Sequence, residues 1–419
     1  MKIAVIGYGL EGRAAETYYK AKGAQVEIRD ISLGKDYLDN LNEFDIIVRS
    51  PGIRPDQLTS RGIDPLKISS STHEILRHSP APIVGVTGTK GKGTTSTLIA
   101  KILATAGKRV WLGGNIGRPA YDFLPEVKVE DVVVLELSSF QLMDVTRSPH
   151  IAVCLMIAPE HLDWHLVMDE YTEAKGNLFR FQRPGDIAVY KNDDVNAVKL
   201  ASYSKGEHLP YGEEPGAVVH NGAIMIGGLE IIKTSEIALV GPHNLENICA
   251  AVTATWKLVD FNPQPIRQVI AGFTGLPHRL QLTRELDGVR YYDDSFATTP
   301  ETAIAAIRSF SAPKVMILGG SDKGVTYGAL AQAVQDGNVI HALLIGDMAP
   351  VLAAELRAVG YEHFTEVLWA GMPALVQLCR KLTEPGDVVL LSPGCASFGL
   401  FKDYKDRAAQ FNEAVEVLI

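Results

Sequence analysis

Short apolar runs alternate along this chain with amphipathic stretches of helical length. Runs of strand length lie at residues 2–7, 25–29, 45–49, 83–87 and 132–137. Alternation of this kind is typical of α/β units, in which helices join parallel strands. The pattern therefore predicts an α/β fold built on parallel sheets.

Breaks in this rhythm indicate where one domain ends and the next begins. Pro80 and Pro82 precede a new strand and a second glycine loop, which indicates a linker. Residues 217–240 contain short apolar segments separated by glycine pairs, a pattern typical of antiparallel hairpins. After Pro277 the alternation resumes, with strands predicted at 314–320, 339–346 and 387–392 and a helix at 299–310.

We therefore expect three domains, over residues 1–80, 81–276 and 277–419. The first is predicted to be a Rossmann-like N-terminal domain. The second is predicted to be a central P-loop ATPase domain with a parallel sheet and a small antiparallel section. The third is predicted to be a C-terminal Rossmann-like α/β domain. A length of 419 residues fits this division, since domains average roughly 150 residues.

Composition and charge narrow the classes of function. The formal net charge is -9, whereas nucleic-acid binders hold phosphates with surplus Lys and Arg. The opening run MKIAVIG is unlike a signal peptide, and no stretch resembles a membrane span. The four cysteines lie far apart, without a CxxC pair, as expected of reduced thiols. We expect a cytoplasmic protein, without nucleic-acid or membrane partners, that acts as a monomer.

The first glycine loop reads Gly7-Tyr8-Gly9-Leu10-Glu11-Gly12 and lies between a predicted strand and a predicted helix. Asp30 follows near the end of the next strand. This is the dinucleotide fingerprint in its usual context. The same turn can bind another phosphate group or simply pack a helix against a sheet, so the loop alone does not identify NAD.

The second glycine loop contains Gly88, Thr89, Lys90, Gly91, Lys92, Gly93 and Thr94, after the strand at 83–87 and before a helix predicted to begin near Thr94. Backbone N–H groups in such a turn surround phosphate oxygens, and one lysine reaches the terminal phosphates. Lys92 is the candidate for that lysine. The alternative, a flexible turn with a solvated lysine, is disfavoured by the hydroxyl and lysine side chains around the glycines.

Further polar residues follow two apolar strands. Glu136 ends the strand at 132–137, where a buried charge is costly unless it meets a cation. A strand predicted at 151–158 leads into His161, and a helix carrying Lys175 comes next. Taken singly, each residue favours a plainer interpretation, Glu136 as a solvated strand-end residue and Lys175 as an exposed helix lysine. Together they favour a metal site.

These motifs resemble those of the Mur ligases, which add amino acids to bacterial cell wall precursors. The run from Gly88 to Thr95 is similar to the family's phosphate loop, and Leu135-Glu136-Leu137-Ser138-Ser139-Phe140-Gln141 is similar to its ELSSFQL segment. Further matches follow in order along almost the whole chain. The pattern is most similar to the branch that adds D-glutamate.

The resemblance implies ATP as substrate, two Mg²⁺ ions and an acyl-phosphate intermediate. It implies Lys92, His161 and Lys175 as catalytic residues, with Lys175 carbamylated. The implied magnesium ligands are Thr94, Glu136, His161 and Lys175, although Thr95 competes with Thr94 because Gly93 directly follows Lys92. Besides the residues of the second loop, the resemblance implies ATP contacts from Asn244, Arg279 and Asp294.

The resemblance also implies two further small-molecule substrates, UDP-N-acetylmuramoyl-L-alanine and D-glutamate. The implied contacts to the UDP precursor are Gly9, Asp30, Ser50, Gly52, Asn115 and Gln141. The implied contacts to the amino acid are Thr298, Lys323, Ser397, Phe398 and Tyr404. Ser397 is expected at the start of the last helix, where the helix dipole favours an anion.

Two positions depart from the family pattern. Met156 stands where the family often has asparagine, and Phe296 stands where its Asp-Ser-Lys-Ala-Thr segment has lysine. The second departure leaves open a relative that adds a different amino acid. Outside this class, an NAD-dependent oxidoreductase and a non-catalytic nucleotide-binding partner are the alternatives. The second loop with Glu136 and His161 counts against the oxidoreductase.

Overall fold

The computed structural model describes residues 1–161, 164–239, 241–322 and 325–419. By internal contacts the chain divides into two compact units. Unit 1 comprises residues 1–238 and 243–273, and unit 2 comprises residues 239–242 and 274–419. The strands of the described ranges form three mainly parallel sheets and a small antiparallel sheet, which confirms the predicted α/β fold with parallel sheets and an antiparallel section.

The first sheet of unit 1 is parallel, with the strand order β2-β1-β3-β4. Its strands are β1 (Lys2–Ile6), β2 (Gln25–Arg29), β3 (Ile46–Arg49) and β4 (Ile68–Ser69). The helices of this region are α1 (Leu10–Ala21), α2 (Pro55–Thr59) and α3 (Ser71–His78). The first glycine loop lies at the C-terminal end of β1 and leads into α1, as the fingerprint predicts.

The second sheet of unit 1 is parallel, with the order β10-β9-β8-β5-β7-β6. Its strands are β5 (Ile83–Thr87), β6 (Val110–Gly114), β7 (Val132–Glu136), β8 (Ile151–Cys154), β9 (Ile187–Lys191) and β10 (Glu207–Tyr211). The helices are α4 (Lys92–Thr105), α5 (Ser139–Leu142), α6 (Met168–Arg180), α7 (Val195–Ala201), α8 (Pro242–Thr255) and α9 (Pro263–Gly272). Two boundaries differ from the sequence predictions, because β8 ends at Cys154 and α4 begins at Lys92.

The predicted hairpin region forms the small antiparallel sheet, β11 (Val218–His220), β12 (Ala223–Ile226) and β13 (Leu229–Lys233). Asn221 and Gly222 occupy the first turn with φ of 48° and 75°, and Gly227 and Gly228 occupy the second with φ of 56° and 76°. Turns that need positive φ at both central residues favour Asn and Gly, so the hairpin prediction is confirmed.

Unit 2 contains a six-stranded sheet with the order β14-β15-β19-β16-β17-β18, parallel except for the β14–β15 pair. Its strands are β14 (Gln281–Leu286), β15 (Val289–Asp293), β16 (Lys314–Gly319), β17 (Val339–Ile345), β18 (Phe364–Glu366) and β19 (Val388–Leu391). Its helices are α10 (Pro300–Arg308), α11 (Gly328–Asp336), α12 (Ala349–Ala358), α13 (Met372–Lys381) and α14 (Tyr404–Glu416). Alternate residues of the central strands belong to two separate buried clusters, as expected when helices cover both faces.

The remaining helical turns are short 3₁₀ segments, at Leu41–Glu43, Pro65–Lys67, Ala120–Asp122, Leu124–Glu126 and Thr234–Glu236. One buried apolar cluster of unit 1 joins α1 to the second sheet, and it includes Tyr18, Tyr19 and Tyr121. Their rings lie 5.0–5.8 Å apart, which fixes the first sheet against the second within this unit. Within the described ranges, every helix is too short or too polar to cross a membrane.

Candidate active site

The second glycine loop joins β5 to α4, and close contacts explain its glycines. Gly88 has a φ of 143°, and a Cβ there would lie 2.7 Å from the Cβ of Leu155. Gly91 has a φ of 86°, and a Cβ there would lie 2.1 Å from Oδ1 of Asn247. Only glycine fits both places, and the resulting loop at a helix N-terminus is the kind of backbone that binds phosphate.

Lys92, the first residue of α4, turns back over this loop. Its Nζ donates to the carbonyl oxygens of Gly88 at 3.0 Å and Thr89 at 2.9 Å. The N–H of Thr89 donates to the carbonyl oxygen of Met156 at 2.8 Å, so the main chain at Met156 supplies a polar contact even though the side chain is apolar. An ammonium held over such a loop is placed to neutralise phosphate charge.

The two threonines after Gly93 differ in burial. Thr95 is fully buried, with its hydroxyl 3.5 Å from Oδ1 of Asn247, whereas Thr94 is partly exposed. A hydroxyl that binds a metal must be accessible from the loop side. The burial pattern therefore favours Thr94 over Thr95 as the magnesium-binding hydroxyl.

Lys175 lies in the interior against the phosphate loop. Its side chain is 1% exposed, and its Nζ donates to the carbonyl oxygen of Gly88 at 2.9 Å. The ammonium also lies 4.6 Å from the ring centroid of Tyr171. Burial, and then the charge of Lys92, lowers the pKa of Lys175 to about 7. The alternative of an exposed helix lysine is therefore wrong.

Glu136 ends β7, beside the phosphate loop strand in the same parallel sheet. It is 6% exposed, and its Oε1 accepts a hydrogen bond from Nδ2 of Asn115 at 2.8 Å. The N–H of Asn115 donates to the carbonyl oxygen of Glu136 at 2.8 Å. The charge of Glu136 acts on Lys175 and opposes the lowering of its pKa, but burial has the larger effect. The geometry thus brings Glu136, Asn115 and Lys175 to one edge of the sheet.

His161 follows β8 in a left-handed backbone conformation, with a φ of 58°. Its side chain is 47% exposed, its Nε2 lies 3.7 Å from Oε2 of Glu160, and its ring lies 4.9 Å from that of Phe140. Non-glycine residues with positive φ are uncommon and are concentrated at functional sites. The structure thus places the His161 side chain beside Glu160 and Phe140.

Sequence reasoning missed two neighbours of His161. Glu160 pairs with Lys90 at 2.7 Å; burial alone would raise its pKa, but the contact with Lys90 outweighs that effect and lowers it. His165 is fully buried, and its Nε2 lies 2.9 Å from Oγ of Ser139, while burial lowers its pKa. The adjacent motif residues Leu162 and Asp163 lie outside the described residues. The only sequence signal that could have indicated Glu160 is its negative charge, which is opposite to that of the lysines in the second loop.

The side chains at this edge include the oxygen ligands that magnesium prefers. Among the described residues, no three His, Cys, Asp or Glu side chains lie close enough together to form a metal cluster. Magnesium commonly needs only one or two protein carboxylates, because water and substrate phosphates complete its octahedral coordination. Glu136 and the Thr94 hydroxyl suit that chemistry.

The first glycine loop is tied to residues predicted to contact the UDP precursor. Oγ of Ser50 donates to the carbonyl oxygen of Gly7 at 2.9 Å. A Cβ on Gly7 would lie only 2.6 Å from Oγ of Ser50. Oδ2 of Asp30 accepts from the N–H of Tyr8 at 2.7 Å. Hydrogen bonds from Ser32 and then from Tyr8 lower the pKa of Asp30. The structure therefore brings Asp30 and Ser50 to the same loop.

Gln141 approaches this loop from the second sheet. It is held by a capping box at the start of α5, in which Oγ of Ser138 accepts from the N–H of Gln141. Its Nε2 donates to Oε1 of Glu11 at 3.1 Å. Burial raises the pKa of Glu11, a residue of the loop that sequence reasoning did not single out.

The two remaining residues predicted to contact the UDP precursor are glycines. Gly52 lies two residues after Ser50, and its carbonyl oxygen accepts from Nε1 of Trp164 at 3.2 Å. Gly9 lies just before α1, with open space around it.

In unit 2, Asp294 is buried at the end of β15. Its Oδ2 accepts from Oγ of Ser392 at 2.6 Å, and its Oδ1 accepts from the N–H of Leu280 at 3.1 Å. Burial raises the pKa of Asp294 to about 7. Arg279 lies nearby, with its guanidinium carbon 4.0 Å from the ring centroid of Phe296, and its charge acts on Asp294.

The other residue predicted to contact ATP, Asn244, belongs to unit 1. It is buried, and its Oδ1 accepts from Nδ2 of Asn247 at 2.9 Å.

The residues predicted to contact the amino acid are only partly described. Thr298 precedes α10, Ser397 is 4% exposed and Phe398 is 62% exposed. Tyr404 packs edge-on against Phe296. Lys323 lies outside the described residues. The expectation that Ser397 begins the last helix is wrong, because α14 begins at Tyr404 and Asp403 caps it by accepting two main-chain N–H groups.

Arg407 was missed because a helical arginine has no distinguishing sequence signal. It is fully buried, and its Nε and Nη2 donate to Oγ and the carbonyl oxygen of Ser295, each at 2.9 Å. Its Nη1 donates to the carbonyl oxygen of Cys395 at 3.4 Å. Arg407 thus ties the segment after β15 to the segment before Ser397.

The chain matches two family models and several known proteins. The Mur ligase middle domain matches residues 86–255, and the Mur ligase, glutamate ligase domain, matches residues 278–395. The chain is 38% identical to UDP-N-acetylmuramoylalanine–D-glutamate ligase from Symbiobacterium thermophilum, over 100% of the chain and 98% of that protein. It is 36% identical to the ligase of the same name from Acetivibrio thermocellus, over 99% of the chain and 96% of that protein.

Solved structures show the same fold at lower identity. UDP-N-acetylmuramate-alanine ligase from Thermotoga maritima superposes with a TM-score of 0.61 at 18% identity, covering 99% of both chains. The phosphate loop, the strand-end Glu136 and the buried Lys175 are consistent with the class of ATP-dependent amide ligases, to which the family models and the relatives point. The chain belongs to the Mur ligase family.

Proposed function

We propose that this protein joins D-glutamate to UDP-N-acetylmuramoyl-L-alanine, at the expense of ATP, in the synthesis of peptidoglycan precursors. The observation that carries the proposal is the burial of Lys175 against the phosphate loop, 2.9 Å from the carbonyl oxygen of Gly88, in a chain of this family. Relatives that match nearly the full chain bear the name of this ligase.

A carboxylate does not react directly with an amine, because its oxygen is a poor leaving group, so the carboxylate must first be phosphorylated. An oxygen of the precursor's carboxylate attacks the γ-phosphorus of ATP, ADP leaves, and an acyl phosphate forms. The amino group of glutamate then attacks the acyl carbon, and phosphate leaves as the amide forms. Phosphoryl transfer between anions depends on charge neutralisation and alignment. Lys92, held over the loop carbonyls of Gly88 and Thr89, is placed to neutralise charge there.

Two magnesium ions are part of the proposal, and bound magnesium would neutralise phosphate charge. Thr94, Glu136, His161 and Lys175 are the residues that would hold them. Lys175 is suited to this only as a carbamate, since carbamylation converts an amine into an anionic oxygen ligand. Reaction with CO₂ requires the neutral amine, and burial lowers the pKa of Lys175 to about 7, which supports the carbamate.

The UDP portion of the precursor is proposed to bind the first glycine loop. Ser50 and Asp30 both hydrogen-bond to the main chain of this loop, and Gln141 reaches it through Glu11. A glycine turn at a helix N-terminus can bind a pyrophosphate without a nicotinamide cofactor. Membership of the Mur family removes the reason to propose an oxidoreductase.

The identity of the amino acid that is added can be tested directly. Thr298, Ser397, Phe398 and Tyr404 of unit 2, together with Lys323, are proposed to select D-glutamate. Purified protein, ATP, magnesium and UDP-N-acetylmuramoyl-L-alanine should release phosphate with D-glutamate in preference to L-glutamate, D-aspartate and neutral amino acids. Release that is fastest with another amino acid would refute the assignment and leave the ligase chemistry standing.

The proposal extends to organisation and location. We propose the three-domain arrangement over residues 1–80, 81–276 and 277–419, with Rossmann-like first and last domains. We also propose that the protein acts as a monomer in the cytoplasm. Four cysteines that are all free and buried fit a reducing compartment that supplies ATP. Light scattering on the purified protein would reveal a dimer if the monomer proposal is wrong.

A further inference from the structure

A salt bridge within unit 1 ties the loop after β3, at residues 50–54, to helix α6. Arg54 lies just before α2, and its guanidinium donates to both carboxylate oxygens of Glu170, at 2.7 Å and 3.2 Å. The same guanidinium donates to both carboxylate oxygens of Asp56, at 2.9 Å and 3.1 Å. The Arg54 side chain is only 10% exposed. A planar guanidinium that binds two carboxylates at once is fixed in orientation as well as in place.

Further contacts join the same loop to the residues that precede α6. The guanidinium carbon of Arg54 lies 4.9 Å from the centroid of the Trp164 ring, and Arg54 also donates to the carbonyl oxygen of Trp164. Nε1 of Trp164 donates to the carbonyl oxygen of Gly52 at 3.2 Å. Glu170 in turn accepts the N–H of Leu166 at 2.8 Å. The loop after β3 therefore holds the start of α6 through several contacts, with the Arg54 guanidinium at their centre.

Helix α6 carries this restraint to the phosphate loop. Tyr171 follows Glu170 and is fully buried, and its hydroxyl lies 2.9 Å from Oγ1 of Thr89. Further along the helix, Nζ of Lys175 donates to the carbonyl oxygen of Gly88 at 2.9 Å. These side chains come from about one and a half turns of a single hydrogen-bonded helix. A displacement of Glu170 therefore also displaces Tyr171 and Lys175.

We propose that Arg54 is a positioning residue for the nucleotide site, which acts through Glu170 to set α6 against the phosphate loop. The inference deepens the proposed function and rests on it for nucleotide binding by the second glycine loop. Ser50, in the same loop as Arg54, hydrogen-bonds to the carbonyl oxygen of Gly7 in the first glycine loop. The loop after β3 thus serves both glycine loops. Arg54 acts on the nucleotide through α6 and not by direct contact.

The test measures the affinity of the full-length protein for ADP with magnesium, by calorimetry, across matched variants. Arg54→Met removes the guanidinium and keeps an unbranched side chain. It should weaken ADP binding about fivefold to tenfold, the net contribution of roughly one hydrogen bond. Arg180 supplies the control, because it lies at the other end of α6, pairs with Glu173 at 2.6 Å and lies 4.6 Å from the Tyr203 ring. Arg180→Met should bind ADP as the parent does.

A double-mutant comparison separates positioning from a contribution to stability alone. Glu170→Gln, alone or combined with Arg54→Met, should weaken ADP binding by the same factor as Arg54→Met, because all three variants break one contact. Arg54→Met leaves the Glu170 carboxylate without its arginine, whereas the double variant removes that charge. The double variant should therefore melt closer to the parent than Arg54→Met does and still bind ADP weakly. It also carries the test if Arg54→Met does not fold.

Three results would overturn the inference. One is an ADP affinity in folded Arg54→Met that equals that of the parent. Another is a second loss of affinity when Glu170→Gln is added to Arg54→Met. The third is an ADP affinity that recovers together with the melting temperature in the double variant, which would show a role in stability alone. Failure of the proposed function appears separately, as a parent protein that binds ADP but releases no phosphate with any amino acid.

Discussion

Replacing Lys175 with methionine tests the central feature of the site. Methionine is unbranched like lysine and carries no charge, so the substitution removes the amine with little change in packed volume. The pKa of Lys175 is lowered from 10.5 to about 7, chiefly by burial. This corresponds to about 5 kcal/mol of preference for the neutral form inside the protein.

The direction of the pH effect follows from proton binding. Between pH 7 and 10.5 the unfolded chain carries the proton on Lys175 and the folded protein does not, so stability rises with pH in this window. In CO₂-free buffer, the free energy of unfolding of the parent should gain about 2 to 3 kcal/mol relative to Lys175→Met between pH 6.5 and pH 9. Urea denaturation at the two pH values measures this difference.

The same pKa makes Lys175 reactive toward CO₂. At pH 8 about 90% of an amine with a pKa near 7 is neutral, compared with less than about 1% of an ordinary lysine. NMR spectra in ¹³C-labelled bicarbonate should therefore show one carbamate signal in the parent that is missing in Lys175→Met. Lys101→Met, which replaces an exposed lysine of α4, should keep that signal.

Two results would refute this reasoning about Lys175. One is a carbamate spectrum that is the same in the parent and in Lys175→Met. The other is a difference in unfolding free energy between these proteins that does not change with pH. Either would mean that the amine is not held neutral beside the phosphate loop.

The remaining predictions concern the same edge of the sheet and unit 2. Lys92→Ala should abolish turnover in a folded protein, and Lys92→Arg should also be inactive because a planar guanidinium does not replace a compact ammonium charge. Phosphate release measures the activity of both variants, and circular dichroism checks that they fold. Near-normal activity in either variant would contradict the loop assignment. Lys175→Ala should lose activity and partly regain it with added acetate, and full activity without acetate would make the residue dispensable. Gly88→Ala should lose ADP binding, because its Cβ would lie 2.7 Å from that of Leu155; calorimetry that finds normal affinity would contradict this. Asp294→Asn should gain stability relative to the parent as pH rises from 4 to 7. Burial raises the pKa of Asp294 to about 7, so in this window the folded parent holds a proton that its unfolded chain has lost, and the stability of the parent falls with pH. Urea denaturation that finds a constant difference between the two proteins would show that Asp294 is not a buried acid.

The local pattern of the sequence was sufficient for the fold class and for the motifs of both glycine loops. Strand periodicity and glycine placement depend on neighbouring residues, so β5, the turn at Gly88 and the hairpins at Asn221 and Gly227 follow from short stretches of chain. Element boundaries were predicted less accurately: β8 ends at Cys154 and not at residue 158, and α14 begins at Tyr404 and not at Ser397.

Only the tertiary structure could decide burial and partners between distant residues. Taken by itself, the helix segment around Lys175 favoured an exposed lysine, but packing of α6 against the phosphate loop buries this residue and lowers its pKa. Likewise, no local pattern shows that Thr95 is covered by Asn247, or that Phe296 lies beneath Arg279. Desolvation and charge interactions depend on distance in space and not on separation along the chain, which is why these features follow from the folded structure alone.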